Sequence, residues 1–97
     1  MKQVVVAVFD RAAQLFGRPF FVQASGQAIR SFTDEVNRKD QERGEFARHP
    51  EDFDLWQLAV YDDNLGAFGN DSQMLVRGKD VLIKEDYRVQ EQVCKRP

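Results

Sequence analysis

The stretch Leu55-Trp56-Gln57-Leu58-Ala59-Val60-Tyr61-Asp62-Asp63-Asn64-Leu65-Gly66 decides the fold. Its first seven residues are aliphatic or aromatic apart from one amide, the composition of a strand buried on at least one face. Strand alternation places Trp56, Leu58 and Val60 together on one side. Asp62 to Gly66 then supplies the Asp, Asn and Gly residues that tolerate the left-handed backbone of a tight reversal. A strand followed by such a turn is a hairpin, so the sheet is antiparallel, and Ala67 to Gly69 starts the returning strand.

Working outward, Pro50-Glu51-Asp52 reads as one helical turn before the strand. Proline suits the first position, where its missing N–H costs nothing, and the acids favour the positive end. Gln3 to Phe9, almost wholly β-branched or aromatic, reads as a central strand. Gly17-Arg18-Pro19 is a turn signal ahead of a further strand, Phe20-Phe21-Val22, and Ala12, Ala13, Leu15 and Phe16 can pack as a helical turn in the connection. The clearest helix follows near residues 25–38, with Ser25 as N-cap and Ala28, Ile29, Phe32 and Val36 at three- and four-residue spacing. Arg30, Asp34, Glu35 and Arg38 lie off that stripe and face water. Asn37 to His49 is polar, broken by Gly44, and reads as a loop. Downstream, Met74-Leu75-Val76 and Val81-Leu82-Ile83 flank Arg77-Gly78-Lys79-Asp80 and read as a second hairpin. The segment 84–97 suits a strand or a helix.

The expected fold class is α+β: an antiparallel β-sheet of four to five strands with one main helix packed on one face. The 97 residues, 42% of them apolar, form one domain, with its core over residues 3–83 and residues 84–97 as an extended tail. A single cysteine, Cys94, forms neither an internal disulfide nor a cysteine metal cage, which points to a reducing cytoplasm. The apolar run Val4 to Phe9 is far shorter than a membrane span or a signal-peptide core, so no membrane partner is expected.

With 14 Lys and Arg against 16 Asp and Glu, the net charge is −2, which excludes a uniformly basic nucleic-acid binder. The charge is nonetheless segregated. Residues 1–30 carry +3, residues 31–50 carry −1, residues 51–71 hold six acids and no base, and the last 26 residues return to +2. A bipolar surface follows.

Catalytic parts are scarce. His49 is the only histidine, with no orienting partner in view, and Cys94 has no adjacent base to activate it. Asp62-Asp63-Asn64 lacks the alternate acids and closing glutamate of a calcium loop, and Gly66, Gly69 and Gly78 match no phosphate-binding pattern. No enzyme activity, metal site or cofactor is expected. Basic and aromatic groups do adjoin one another at Phe16 to Phe21, Phe46-Ala47-Arg48, Arg77-Gly78-Lys79 and Lys84 to Arg88. Exposed, such groups suit single strands, whose unpaired bases stack on aromatic faces while cations hold phosphates. The one clear helix carries Asp34 and Glu35 and is a poor reader of the major groove. In a small domain, Phe20, Phe21 and Trp56 also serve as core.

Several motifs occur in a familiar order: Phe9-Asp10; Arg18-Pro19-Phe20-Phe21-Val22; Gly26-Gln27-Ala28-Ile29-Arg30-Ser31-Phe32-Thr33-Asp34-Glu35-Val36-Asn37; His49-Pro50-Glu51-Asp52-Phe53-Asp54-Leu55-Trp56; and Tyr61-Asp62-Asp63. Over about residues 4–69 the chain resembles the small nonstructural proteins of gokushovirus-like microviruses, tailless single-stranded DNA phages. The resemblance implies a protein of the host bacterial cytoplasm, described in that family as DNA-binding and connected with genome replication or with committing single-stranded DNA to packaging. It makes Arg30 and His49 to Phe53 family-typical positions. The loop from Arg38 to Ala47 and the charged tail depart from shorter members of the family.

The functional expectation is a nonenzymatic single-stranded DNA-binding protein of a small phage, acting as a homodimer or higher homo-oligomer. Contacts are expected from Arg11, Arg18, Phe20, Arg38, Lys39, Arg43, Arg48, Lys79, Lys84 and Arg88. The alternative is a protein–protein adaptor that binds the phage replication initiator or capsid precursor without affinity for DNA, supported by the acidic stretch Glu51 to Asp71.

Overall fold

The computed structural model describes residues 1–40 and 44–83. The strands are β1 (Lys2–Asp10), β2 (Leu15–Phe16), β3 (Phe20–Val22), β4 (Phe53–Asp62) and β5 (Ala67–Arg77), and the helices are α1 (Ser25–Val36), α2 (Glu45–Arg48) and α3 (Gly78–Val81). All five strands join one antiparallel sheet in the order β2-β1-β4-β5, with β3 also paired to β1. β4 occupies one side of β1 along its whole length. On the other side β3 pairs at Val4 to Val6 and β2 at Phe9 and Asp10.

α1 packs on one face of this sheet. Ala28, Phe32 and Val36, each four residues apart, are the buried stripe, and they meet Val6, Phe53 and Leu55 in a single core with Val4, Val8, Val22 and Ile29 at its edge. The helix begins at Ser25, not after it. Ala24 is the N-cap and gives no side-chain cap, while Gln27 reaches back and its side-chain oxygen accepts the Gln23 N–H at 2.8 Å. The expected loop after α1 contains the short helix α2, whose Phe46 lies 5.6 Å from the Phe32 ring and 4.8 Å from the Phe53 ring. One large apolar residue in a polar segment was the only sequence trace of that packing. Pro50–Asp52 forms the expected turn, as a 3-10 helix with Pro50 buried.

The reversal at residues 62–66 is also as expected, with Gly66 at φ +63° and its N–H donating to the Asp62 carbonyl at 2.8 Å. The second hairpin does not form. β5 runs unbroken to Arg77, and Gly78–Val81 is helical. Gly78 is buried against the carbonyls of Pro50 and Phe53, a place with no room for a Cβ. Val81 and Leu82 then pack against the core, and the Asn37 side chain fixes them by donating to the Val81 carbonyl at 3.0 Å and accepting the Ile83 N–H at 2.7 Å. The stretch Arg11 to Phe16 is a turn entering β2, with Leu15 and Phe16 both exposed, in place of a packed helical turn.

β-Bulges set which side chains share a face. Val5 pairs with Ala59 and Val6 with Gln57, so Leu58 is the extra residue on β4. The bulge breaks the alternation: Trp56, opposite Ala7, and Val60, opposite Val4, lie on opposite faces. Their expected shared side is therefore corrected.

Candidate functional site

Val4, Val6 and Val8 point to the helix, so Gln3, Val5, Ala7 and Phe9 point the other way. The register carries that second face across the sheet. Phe21 and Ala59 lie beside Val5, Tyr61 beside Gln3, Trp56 beside Ala7, and Phe16 and Asp54 beside Phe9. β5 adds Phe68 opposite Tyr61, Asn70 opposite Ala59, Met74 opposite Trp56 and Arg77 opposite Asp54. Among the described residues no helix covers this face, an arrangement open to antiparallel but not to parallel sheets.

Two aromatic groups stand on it. Tyr61 and Phe68 have ring centres 4.9 Å apart, with Phe21 at 5.7 Å and 6.3 Å from them. At the other end Phe16 lies 4.7 Å from Phe9 and 6.1 Å from Trp56. Phe16, Phe21 and Phe68 remain 47%, 49% and 63% exposed, while Val5 and Ala7 between the groups are buried. Two clusters of half-exposed aromatics on one sheet face are costly in water and mark a binding surface.

The face ends in a charged cluster. The Arg11 guanidinium donates to the Glu51 carbonyl and lies 3.5 Å from the buried carboxylate of Asp54, and the Arg11 backbone N–H donates to the Asp52 carbonyl at 2.8 Å. Arg11 thus ties the 3-10 turn to the end of β1. Arg77 stands across the sheet from Asp54. Two guanidiniums and the Asp54 carboxylate thus stand at a corner that the acidic turn Glu51-Asp52 also borders.

The other expected contacts fall elsewhere. Arg18 and Phe20 line a groove of about 220 Å³ on the helix side, with Phe32, Glu35, Phe46 and Leu55. Phe20 is opposite Val6 and so belongs to the helix-covered face, unlike its neighbour Phe21. Arg38, just past α1, bonds to Asp40 at 2.9 Å and to Glu35 at 3.4 Å, and the Asp40 hydrogen bond in particular raises its pKa further above the ordinary arginine value. Lys39 follows it in the connection to α2, while Arg48 ends α2 and Lys79 lies in α3, elements that pack on the helix side. Arg43, Lys84 and Arg88 lie outside the described residues. Among the described residues, Arg11 is the one named cation that borders the aromatic face. The aromatics that sequence reasoning left out of the site, Phe16, Tyr61 and Phe68, had one usable signal: Tyr61 and Phe68 flank the hairpin turn symmetrically, so the turn itself makes them neighbours.

His49, Glu51 and Asp52 each offer a metal-ligand atom within 4.8 Å of the others, as adjacent side chains of one tight turn. No helix among the described residues is long and apolar enough to cross a membrane.

These features define a small α+β protein whose sheet is helix-covered on one face and aromatic on the other. The chain belongs to the Phage ORF5 protein family, whose model matches residues 3–81. No curated protein and no solved structure matches it.

Proposed function

We propose that this phage protein binds single-stranded DNA in the host bacterial cytoplasm, without catalysis, during genome replication or the commitment of single strands to packaging. One observation carries the reading: Phe16, Phe21 and Phe68 stand about half-exposed or more on a sheet face that no helix among the described residues covers. Unpaired bases present flat apolar surfaces to such side chains, whereas a duplex keeps its bases stacked inside and is read by an element that enters a groove. α1 lies on the opposite side with Asp34 and Glu35 exposed, and it offers no such element. A homo-oligomer would set several of these faces along one strand and bind it cooperatively.

Fluorescence anisotropy with labelled oligonucleotides tests the reading. The expected result is binding of single strands at low salt and much weaker binding of a duplex of the same sequence. Failure to bind either, by a folded protein, would sink it. The exposed apolar face would then favour the adaptor for a replication or capsid protein.

A further inference from the structure

The aromatic side chains of the uncovered face are concentrated at two places, with the small residues Val5, Ala7 and Ala59 between them. We propose that these are two base-stacking stations for one continuous single strand: Phe21, Tyr61 and Phe68 take one unpaired base, and Phe16 with Trp56 takes another. This inference rests on the single-strand reading above and adds where the strand lies and how long it must be to bind well.

Ring geometry supports both stations. Within the first, the rings meet at 42° to 83°, and within the second at 49° and 84°. Tilted and edge-on rings do not occupy one another's faces as a parallel stack would, so flat surface is left for a base. Charge supports the ligand. Among the described residues, the acidic and basic groups that the register places on this face are Asp54 and Arg77, with Arg11 set against Asp54. The other polar groups that the strands place on it are uncharged: the amides of Gln3 and Asn70, the hydroxyls of Tyr61 and Ser72 and the indole N–H of Trp56. A phosphate chain thus crosses a face with no excess of carboxylates, on a protein whose net charge is −2.

The register sets the spacing. Phe21 stands opposite Val5 and Phe16 opposite Phe9, four residues along β1, which is about 13 Å at about 3.3 Å per residue. Neighbouring bases in a stack rise about 3.4 Å, so about four steps separate the stations and about five nucleotides reach both. Shorter strands occupy one station. Longer strands gain the second at high effective concentration.

The test is an oligo(dT) series from two to ten nucleotides, read by anisotropy and by the fluorescence of the single tryptophan, Trp56. Affinity is expected to rise at least tenfold as length passes about five nucleotides, with quenching of Trp56. Phe68→Ala and Phe16→Ala should each weaken dT10 binding by about five- to hundredfold and flatten the length step, while Arg48→Ala on the helix side leaves both unchanged. Circular dichroism checks folding, and Phe68→Leu with Phe16→Leu, which keep bulk but lose the ring, replace the alanines if those unfold. If dT10 binds and the station variants bind it as tightly as the wild type, the platform is wrong while single-strand binding stands. Absence of binding at every length would overturn both.

Discussion

Gly26 and Gly78 both stand in the first turn of a helix, yet their surroundings are opposite. A Cβ at Gly26 meets nothing within 4 Å, whereas one at Gly78 runs into the Pro50 carbonyl and comes within 3.0 Å of the Phe53 carbonyl. Gly78→Ala is therefore expected to destabilise the protein by about 1–3 kcal/mol, the cost of forcing atoms into a packed site. Gly26→Ala should stabilise it by about 0.4–1 kcal/mol by restricting the unfolded chain. Urea unfolding of both variants checks the pair, and equal effects would contradict the packing described for α3. At this scale the sequence was legible where local chemistry decides, as at Gly66 in its left-handed turn or Pro50 in its first-turn position. It was not legible where a residue's role depends on a distant backbone, as at Gly78, or on an inserted residue, as at Trp56 and Val60. The Leu58 bulge that separates those two is a property of the pairing with β1.

Elements held by their own periodicity were readable, and those held by tertiary contacts were not. α1 was evident from Ala28, Phe32 and Val36, and β1 and β4 from their β-branched and aromatic runs. α2 and α3 are four residues each, too short for any period, and exist because Phe46 and Val81 reach the core. Asn37 is the joint between α1 and α3. Besides holding Val81 and Ile83, its side chain donates to the Thr33 carbonyl at 2.9 Å. Asn37→Ala removes all three bonds from a partly buried site and is expected to cost about 1–3 kcal/mol. Its effect should be local. Amide exchange should accelerate at Val81 to Ile83 while β1 and β4 stay protected, because the core strands open only with the whole fold. Uniform acceleration across the sheet would show that α3 is part of the cooperative core and not an element clipped to it.

At the scale of the whole molecule the charge balance acquires a geometry that the linear count could not supply. Among the described residues the cations fall on two sides of the sheet: Arg11 and Arg77 border the aromatic face, while Arg18, Arg38, Lys39, Arg48 and Lys79 attend the helices. Phe20 and Phe21, adjacent in sequence, are divided in the same way. Which side of the sheet each aromatic or basic group takes was not legible, since alternation along β3 and the bulge in β4 decide it. The division yields a measurable distinction. Binding to single strands loses affinity with salt at a logarithmic slope of about −0.7 per phosphate neutralised, so two guanidiniums give about −1.4 and six cations about −4. Between 50 and 200 mM salt the first corresponds to a loss of about sevenfold and the second to about three-hundredfold. A platform that binds through its rings should show the shallow slope, and Arg77→Ala should lower it by about 0.7 while Arg18→Ala and Lys79→Ala leave it alone. Anisotropy titrations with dT10 across that salt range decide the matter. A slope near −4 would move the strand to the helix side, where its phosphates would run past the groove beside Arg18 and the aromatic face would be left for another partner.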